Sequence, residues 1–307
     1  MHTTERLVET CHEVLHYCDE RNRYELTNGK GTTRFVTALS LPIAHPTIQQ
    51  AAFGWWSRSE NGSFYVTQQF TKQHSSILYR YDSSDSLDAP AIHGIHYIKD
   101  VVRGTNHLFY DGAFFFQKDR ESEIRRYDPA ADRSTSAMRL PRDCEHNGTE
   151  YLYYDGTKPL KSYVDLARDE LGIWLLCRQR GSGRLLVSKL RKRKDGRQLR
   201  VVASFALPWN ETERHRPVNS FVASGYLYTI EKAPDGVGDE VARAYDLFHP
   251  LRRPYRFPQG RLPLRWPNDW GFLSSASYYP EESFLYVYTR SHLVAIRVEK
   301  VFDPDSD

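Results

Sequence analysis

Ser162-Tyr163-Val164-Asp165-Leu166-Ala167-Arg168-Asp169-Glu170-Leu171-Gly172-Ile173-Trp174-Leu175-Leu176 lies near the middle of a 307-residue chain. Two strand-like apolar runs flank an acidic turn ending in Gly172, which is the pattern of a β-hairpin. Asp165 interrupts the first run between Val164 and Leu166. A carboxylate there has to be hydrogen-bonded, paired with a cation or left near water, because an unpaired buried charge is very costly. It reads either as an ordinary satisfied polar residue at a strand end or as a ligand for a hard cation.

The same hairpin style recurs on both sides. Related pairs of strands run from Asn106 to Gln117, Asp165 to Cys177, Asn219 to Glu231 and Ser277 to Thr289. A following strand carries Tyr-Asp or its equivalent five times, at Tyr81-Asp82, Tyr127-Asp128, Leu190-Arg191, Tyr245-Asp246 and Ile296-Arg297. Spacings of 46 to 63 residues suit one four-stranded propeller blade with variable loops. Five units predict an all-β, five-bladed β-propeller over 35–303. A sandwich of regular hairpins is the alternative. Trp55, Trp56, Trp174, Phe221, Tyr228 and Tyr286 sit in these strand patterns and are expected in the core.

Aromatic residues make up 13% of the chain, which favours strand. The balance of 42 basic to 39 acidic residues leaves +3, too little for a general nucleic-acid binder. Nowhere is there an apolar run of about 20 residues, so no membrane-spanning helix is expected. Four cysteines, Cys11, Cys18, Cys144 and Cys177, show no metal-ligand spacing. Asn61, Asn147 and Asn210 head Asn-x-Ser/Thr sequons, which favours an extracellular, glycosylated protein. The polar first residues show no signal peptide, so a secreted protein would have its true start outside this sequence.

Residues 1–26 read as a helix in which Leu7, Cys11, Val14 and Cys18 keep a 4-3-4 spacing. Two heptads are unstable alone. The helix therefore either packs on its own domain or ends a longer homo-oligomerising stalk, with Cys11 and Cys18 placed for interchain disulfides. A linker over 27–34 and a tail over 304–307 complete the organisation.

Several stretches together resemble the olfactomedin domain. They are Gly54-Trp55-Trp56, Gly104-Thr105-Asn106-His107 through Tyr110-Asp111-Gly112, Asp165 through Trp174, Asn219-Ser220-Phe221 with Gly225-Tyr226-Leu227-Tyr228, and Tyr278-Tyr279-Pro280 with Leu285-Tyr286-Val287. The resemblance covers roughly Phe53 to Val301 and implies a secreted five-bladed propeller that binds other proteins and is not an enzyme. It also implies a central calcium site at Asp165, Asn219, Ser220, Ala276 and Ser277. Ser277 stands where the family carries a carboxylate and Tyr163 where many members carry another Asp, so calcium is expected to be weak or absent. Asp165 would then be satisfied by Asn219, Ser277, water or a monovalent cation. Ser224 replaces a family cysteine whose bridge closes the domain. Closure is left to noncovalent blade contacts, or to Cys144 and Cys177 in a nonstandard arrangement.

Catalytic signatures do not survive inspection. Gly29-Lys30-Gly31-Thr32-Thr33 resembles a phosphate loop but lacks its upstream Gly and its strand and helix. Asp165 with Asp169 could form a glycosidase pair, yet Asp169 reads as a turn residue. Lys189, Arg191, Lys192, Arg193, Lys194 and Arg197 surround a Lys194-Asp195-Gly196 turn, either as a solvated hairpin tip or as a patch for acidic glycosaminoglycans. The function expected is a non-enzymatic extracellular interaction module for adhesion, matrix or receptor binding and signalling. A channel-carboxylate enzyme acting on glycans and a purely structural matrix scaffold are the alternatives. Partners are expected to be extracellular proteins or cell-surface receptors, with no nucleic acid and no membrane span.

Overall fold

The computed structural model describes residues 34–40, 43–46, 53–69, 74–82, 92–146, 151–155, 158–159, 162–207, 217–233, 238–264, 271–290 and 292–302. The helix expected over 1–26 with Cys11 and Cys18, nearly all of the linker, the sequons at Asn147 and Asn210, and the tail lie outside the described residues.

Every described element is a strand, and all pairings are antiparallel. β1 (Arg34–Leu39) and β2 (Ile43–Pro46) pair with the last strand of the chain, described below. A seven-stranded sheet follows, from β3 (Phe53–Arg58), β4 (Phe64–Gln69), β5 (His74–Tyr81), β6 (Gly94–Tyr110) and β7 (Ala113–Lys118) to β8 (Glu123–Asp128) and β9 (Arg133–Arg139). The short ladder of β10 (Tyr154–Asp155) and β11 (Lys158–Pro159) leads to a four-stranded meander. That meander runs β12 (Val164–Asp169), β13 (Gly172–Arg178), β14 (Leu185–Lys192) and β15 (Leu199–Leu207).

The next sheet has β16 (Asn219–Ala223), β17 (Tyr226–Lys232) and β18 (Asp239–Asp246), with the short β19 (Tyr255–Arg256) and β20 (Pro263–Leu264) both on β18. The last has β21 (Leu273–Tyr279), β22 (Phe284–Thr289) and β23 (His292–Phe302). The five Tyr-Asp or equivalent pairs fall on β8, β14, β18 and β23 and, for Tyr81-Asp82, at the end of β5, the third strands of successive meanders.

β6 explains why two meanders share one sheet. Its first residues pair with β5 and its last with β7, and the register breaks between Arg103 and Leu108. Gly104 sits in that break with φ +79°, where a Cβ would lie 2.9 Å from Ser162 Oγ. A residue with a side chain would be strained and crowded there. Tight turns follow the same chemistry: Asp111-Gly112 and Ser224-Gly225 take positive φ at both positions, as two-residue hairpin loops require.

The first strands of the meanders pack on one another, β3 with β6 and β21, β12 with β6 and β16, and β16 with β21. This arrangement is consistent with a propeller. Strands near the middle are buried on both faces, as in β16 and β7, because neighbouring sheets stack on both sides of them. The outer β9 and β15 include exposed positions. Trp55, Trp56, Trp174, Phe221, Tyr228 and Tyr286 are all buried in the core.

Closure is achieved by hydrogen bonds. β1 pairs with β23 from Arg34 opposite Phe302 to Leu39 opposite Val298, so the first described strand completes the last sheet. Val36 is fully buried, and its N–H donates to the Tyr228 hydroxyl (3.0 Å). Cys144 and Cys177 form an intrachain disulfide, tying the segment after β9 to β13. Ser224 has another role: its N–H and hydroxyl donate to Glu170 Oε2 at 2.8 and 3.2 Å.

Candidate functional site

Asp165 lies on β12 opposite Leu176, 2% exposed, where the first strands converge. The Tyr153 hydroxyl, buried between β9 and β10, bonds both Asp165 Oδ2 and Ser220 Oγ, and Ser220 Oγ is 3.5 Å from the same carboxylate oxygen. Burial pushes the Asp165 carboxyl up to about 7, against the pull of hydrogen bonds from Tyr153, Ser220 and Asn106. The same burial, with the neighbouring Asp165 charge, keeps the Tyr153 phenol far above its usual range and therefore a donor.

The surrounding polar groups are engaged with one another. Asn106 Nδ2 donates to Asn219 Oδ1 (2.9 Å), which also accepts from Ser220 N (2.9 Å). Thr105 Oγ1 donates to Ser274 O (2.9 Å), and Thr105 N donates to Ser162 Oγ (2.9 Å). Gly54 N donates to Ser274 Oγ (3.1 Å). Ser277, expected beside the cation, instead accepts from Trp55 Nε1 at 2.8 Å. Residues from β3, β6, β12, β16 and β21 are thus joined by one buried set of hydrogen bonds.

This donor set does not fit calcium. The ion takes six to eight oxygens, usually with several carboxylates. Here the Asp165 carboxylate is capped by a phenol, the Asn219 oxygen holds two donors, and the Ser277 hydroxyl holds an indole. Ala276 is 4% exposed and pairs with Val287. Among the described residues no group of three or more His, Cys, Asp or Glu is placed to hold a metal. Asp165 is satisfied by Tyr153, Ser220 and Asn106, and neither Asn219 nor Ser277 is its partner.

The acidic turn performs a separate task. Asp169 is the last residue of β12 and pairs with Gly172, so the turn proper is Glu170-Leu171. Its carboxylate accepts from Trp174 Nε1 (2.8 Å), Leu171 N (3.0 Å) and Gly225 N (2.8 Å). Glu170 accepts from Ser224 and Tyr278 and pairs with Lys300. Burial works against its charge, but the Lys300 ion pair together with hydrogen bonds from Tyr278 and the backbone holds the carboxyl below its usual range. Arg168 is 3% exposed and ion-pairs with Glu60 (2.9 Å) and Glu281 (2.6 Å) across three sheets.

Only Arg193, Lys194 and Arg197 of the six cluster residues are exposed. Lys189 is 2% exposed, lies 4.2 Å over the Trp174 ring and donates to Leu171 O, so it is a core residue. Burial lowers its ammonium to about 8, opposed by Asp169. Lys192 is paired with Asp111. Arg193, Lys194 and Arg197 remain exposed on the turn, where Asp195 accepts from Arg197 N and Gln198 N, both at 3.0 Å. Asn61 is exposed in the β3–β4 turn, and its Oδ1 accepts from Ser63 N (3.3 Å).

The model of the olfactomedin-like domain matches residues 28–301.

The chain belongs to the olfactomedin-like domain family.

It is 28% identical over 205 residues to Adhesion G protein-coupled receptor L1 of Homo sapiens, across 64% of this chain and 13% of the receptor. The receptor of the same name from Mus musculus matches with the same identity and coverage. The chain thus spans only about an eighth of the length of the curated relatives it matches. Among solved structures, glutaminyl cyclase of Myxococcus xanthus superposes with a TM-score of 0.45 at 10% identity, covering 89% of this chain and 100% of that one. Among the described residues no helix is long and apolar enough to cross a membrane.

In this olfactomedin-like domain the residue that sequence reasoning misses is Tyr153. Tyr151-Leu152-Tyr153-Tyr154 reads as an aromatic run, and nothing in it marks one hydroxyl as the partner of a carboxylate twelve residues on. Ser162 and Ser274 are missed likewise. Thr105 and Asn106 stand out in sequence as marks of the family and the start of a hairpin, not as members of this network.

Proposed function

We propose that this domain is a five-bladed propeller that serves outside the cell as a non-enzymatic protein-interaction module, its channel locked by hydrogen bonds in place of calcium. The observation that carries the reading is the capping of Asp165 by Tyr153 and Ser220, which occupies this buried carboxylate with structural work. Family membership supports the extracellular, interaction-type role. The glycan-hydrolase alternative is disfavoured by spacing. Asp165 and Asp169 are four residues apart on one strand, about 13 Å, whereas paired catalytic carboxylates stand roughly 5–10 Å apart. Asp169 is also fully engaged with Trp174, Leu171 and Gly225.

Three measurements test the proposal. Labelled full-length protein should bind intact cells saturably; trypsin treatment of the cells should abolish that binding, whereas enzymatic removal of sulfated polysaccharides alone should leave a saturable part of it. Millimolar calcium should leave the melting temperature where chelator leaves it, whereas a site filled at 100 times its dissociation constant would add about 2.7 kcal/mol. Turnover of a glycoside panel that Asp165→Asn abolishes would overturn the non-enzymatic reading. A calcium-dependent rise in melting temperature lost in Asp165→Ala would overturn the hydrogen-bonded lock.

A further inference from the structure

Between β18 and β20 the chain follows the outer side of its sheet, held by two short ladders. Arg256 and Tyr255 pair with Arg243 and Ala244, and Pro263 and Leu264 pair with Glu240 and Asp239. Arg252, Arg253, Arg256 and Arg261 are all exposed, and no Asp or Glu occurs from Leu247 to Leu264. Nearby carboxylates are already engaged. Asp246 accepts from His249 Nδ1 (2.7 Å) and lies 4.0 Å from Arg252 Nη1, while Glu240 accepts from Gly260 N (2.8 Å). Among the described residues Arg253, Arg256 and Arg261 have no ion-pair partner.

Three further features make this ridge more than a charged edge. Leu251 is 85% exposed and Tyr255 52%, the latter braced edge-on against Phe257 with centroids 5.0 Å apart. Pro250, Pro254, Pro258 and Pro263 fall every four or five residues. They restrict φ along the segment, so less conformational entropy is lost when the arginines are engaged. All four cations are arginine, whose flat fork matches paired oxygens of sulfate or carboxylate better than a lysine point charge does. Cations strung along an extended segment without interleaved acids suit a linear polyanion, and a sugar ring can rest on the exposed Tyr255 face.

We propose that the Leu251–Arg261 ridge binds a sulfated polysaccharide. The site is distinct from the β14–β15 hairpin, where Lys189 is buried and Lys192 is paired with Asp111. It does not depend on the protein-interaction reading, since the two partners differ in chemistry and are measured separately.

The test uses full-length protein on heparin resin. Three forms are compared at equal melting temperature: wild type, R252A/R253A/R256A/R261A, and the turn variant R193A/K194A/R197A. Wild type and the turn variant should elute at the same salt, above physiological ionic strength, and the ridge variant below it. Solution titration with heparin should lose about 3 from the slope of log affinity on log salt, because each cation matched to a dense polyanion contributes slightly under one. If the alanine variant folds poorly, R252Q/R253Q should still reduce the slope by about half as much. A ridge variant that elutes with wild type overturns the proposal, as does a turn variant that loses as much. Displacement by polyglutamate as readily as by heparin would also overturn it, in favour of an acidic protein.

Discussion

Tyr153→Phe removes one hydroxyl and keeps the ring, which isolates the bonds from Tyr153 to Asp165 and Ser220. Tyr153 is 0% exposed, so no bulk water replaces the lost donor. A hydrogen bond to a charged acceptor contributes about 1.5–3 kcal/mol and one to a neutral acceptor about 1 kcal/mol. With its carboxyl raised to about 7, Asp165 is mostly ionised at pH 8 and protonated at pH 5. The substitution should therefore cost about 2 kcal/mol at pH 8 and about 1 kcal/mol at pH 5. For a domain of this size 2 kcal/mol corresponds to roughly 4–8 °C of melting temperature.

The sign of the wild-type pH dependence follows from the same shift. The folded pKa of Asp165 lies above the unfolded value, so the folded state binds the extra proton between about pH 4 and about pH 7. The contribution of Asp165 to stability is thus greatest below this window and declines as pH rises through it. Losing the phenol removes a donor to the charged form and carries the decline further up. Urea unfolding of wild type, Tyr153→Phe, Asp165→Asn and the double variant at both pH values checks this, with a coupling above about 1 kcal/mol expected at pH 8. An equal cost of Tyr153→Phe at the two pH values, or strict additivity with Asp165→Asn, would refute the assignment.

Reducing the Cys144–Cys177 bond, or replacing both cysteines by Ala, should destabilise the domain by about 3–4 kcal/mol on loop entropy, for a separation of 33 residues, read as a lower melting temperature in reductant. Gly104→Ala should cost at least about 1–2 kcal/mol by thermal melt, from its positive φ and the crowding of Ser162. Arg168→Ala leaves Glu60 and Glu281 without their shared cation and removes packing on Tyr279. Because those carboxylates are 37% and 48% exposed, the expected loss is about 2 kcal/mol, below that of a fully buried pair, and should shrink in high salt.

Much of the β-architecture was legible because turn chemistry and strand pattern act between near neighbours. Asp111-Gly112 and Ser224-Gly225 each announce a hairpin, and the recurrent third strands at Tyr81, Tyr127, Leu190, Tyr245 and Ile296 mark the successive meanders. Asp165 likewise stands out as a charge in an apolar strand, so the centre of the site was visible from its chemistry alone. Its partners were not. Tyr153 reaches it from outside the large sheets, and Ser220 from β16, 55 residues on.

Residue type and spacing by themselves determined which segments become strands, where they turn and that one buried carboxylate needs an answer. Tertiary structure alone decided that a phenol supplies the answer, that Lys189 turns inward onto Trp174, that Cys144 meets Cys177 and that β1 completes the sheet of β23. The division is physical: a turn or a strand period is a property of a few adjacent residues. A hydrogen bond across the molecule depends on ladder register and sheet stacking, which arise only when the whole chain closes.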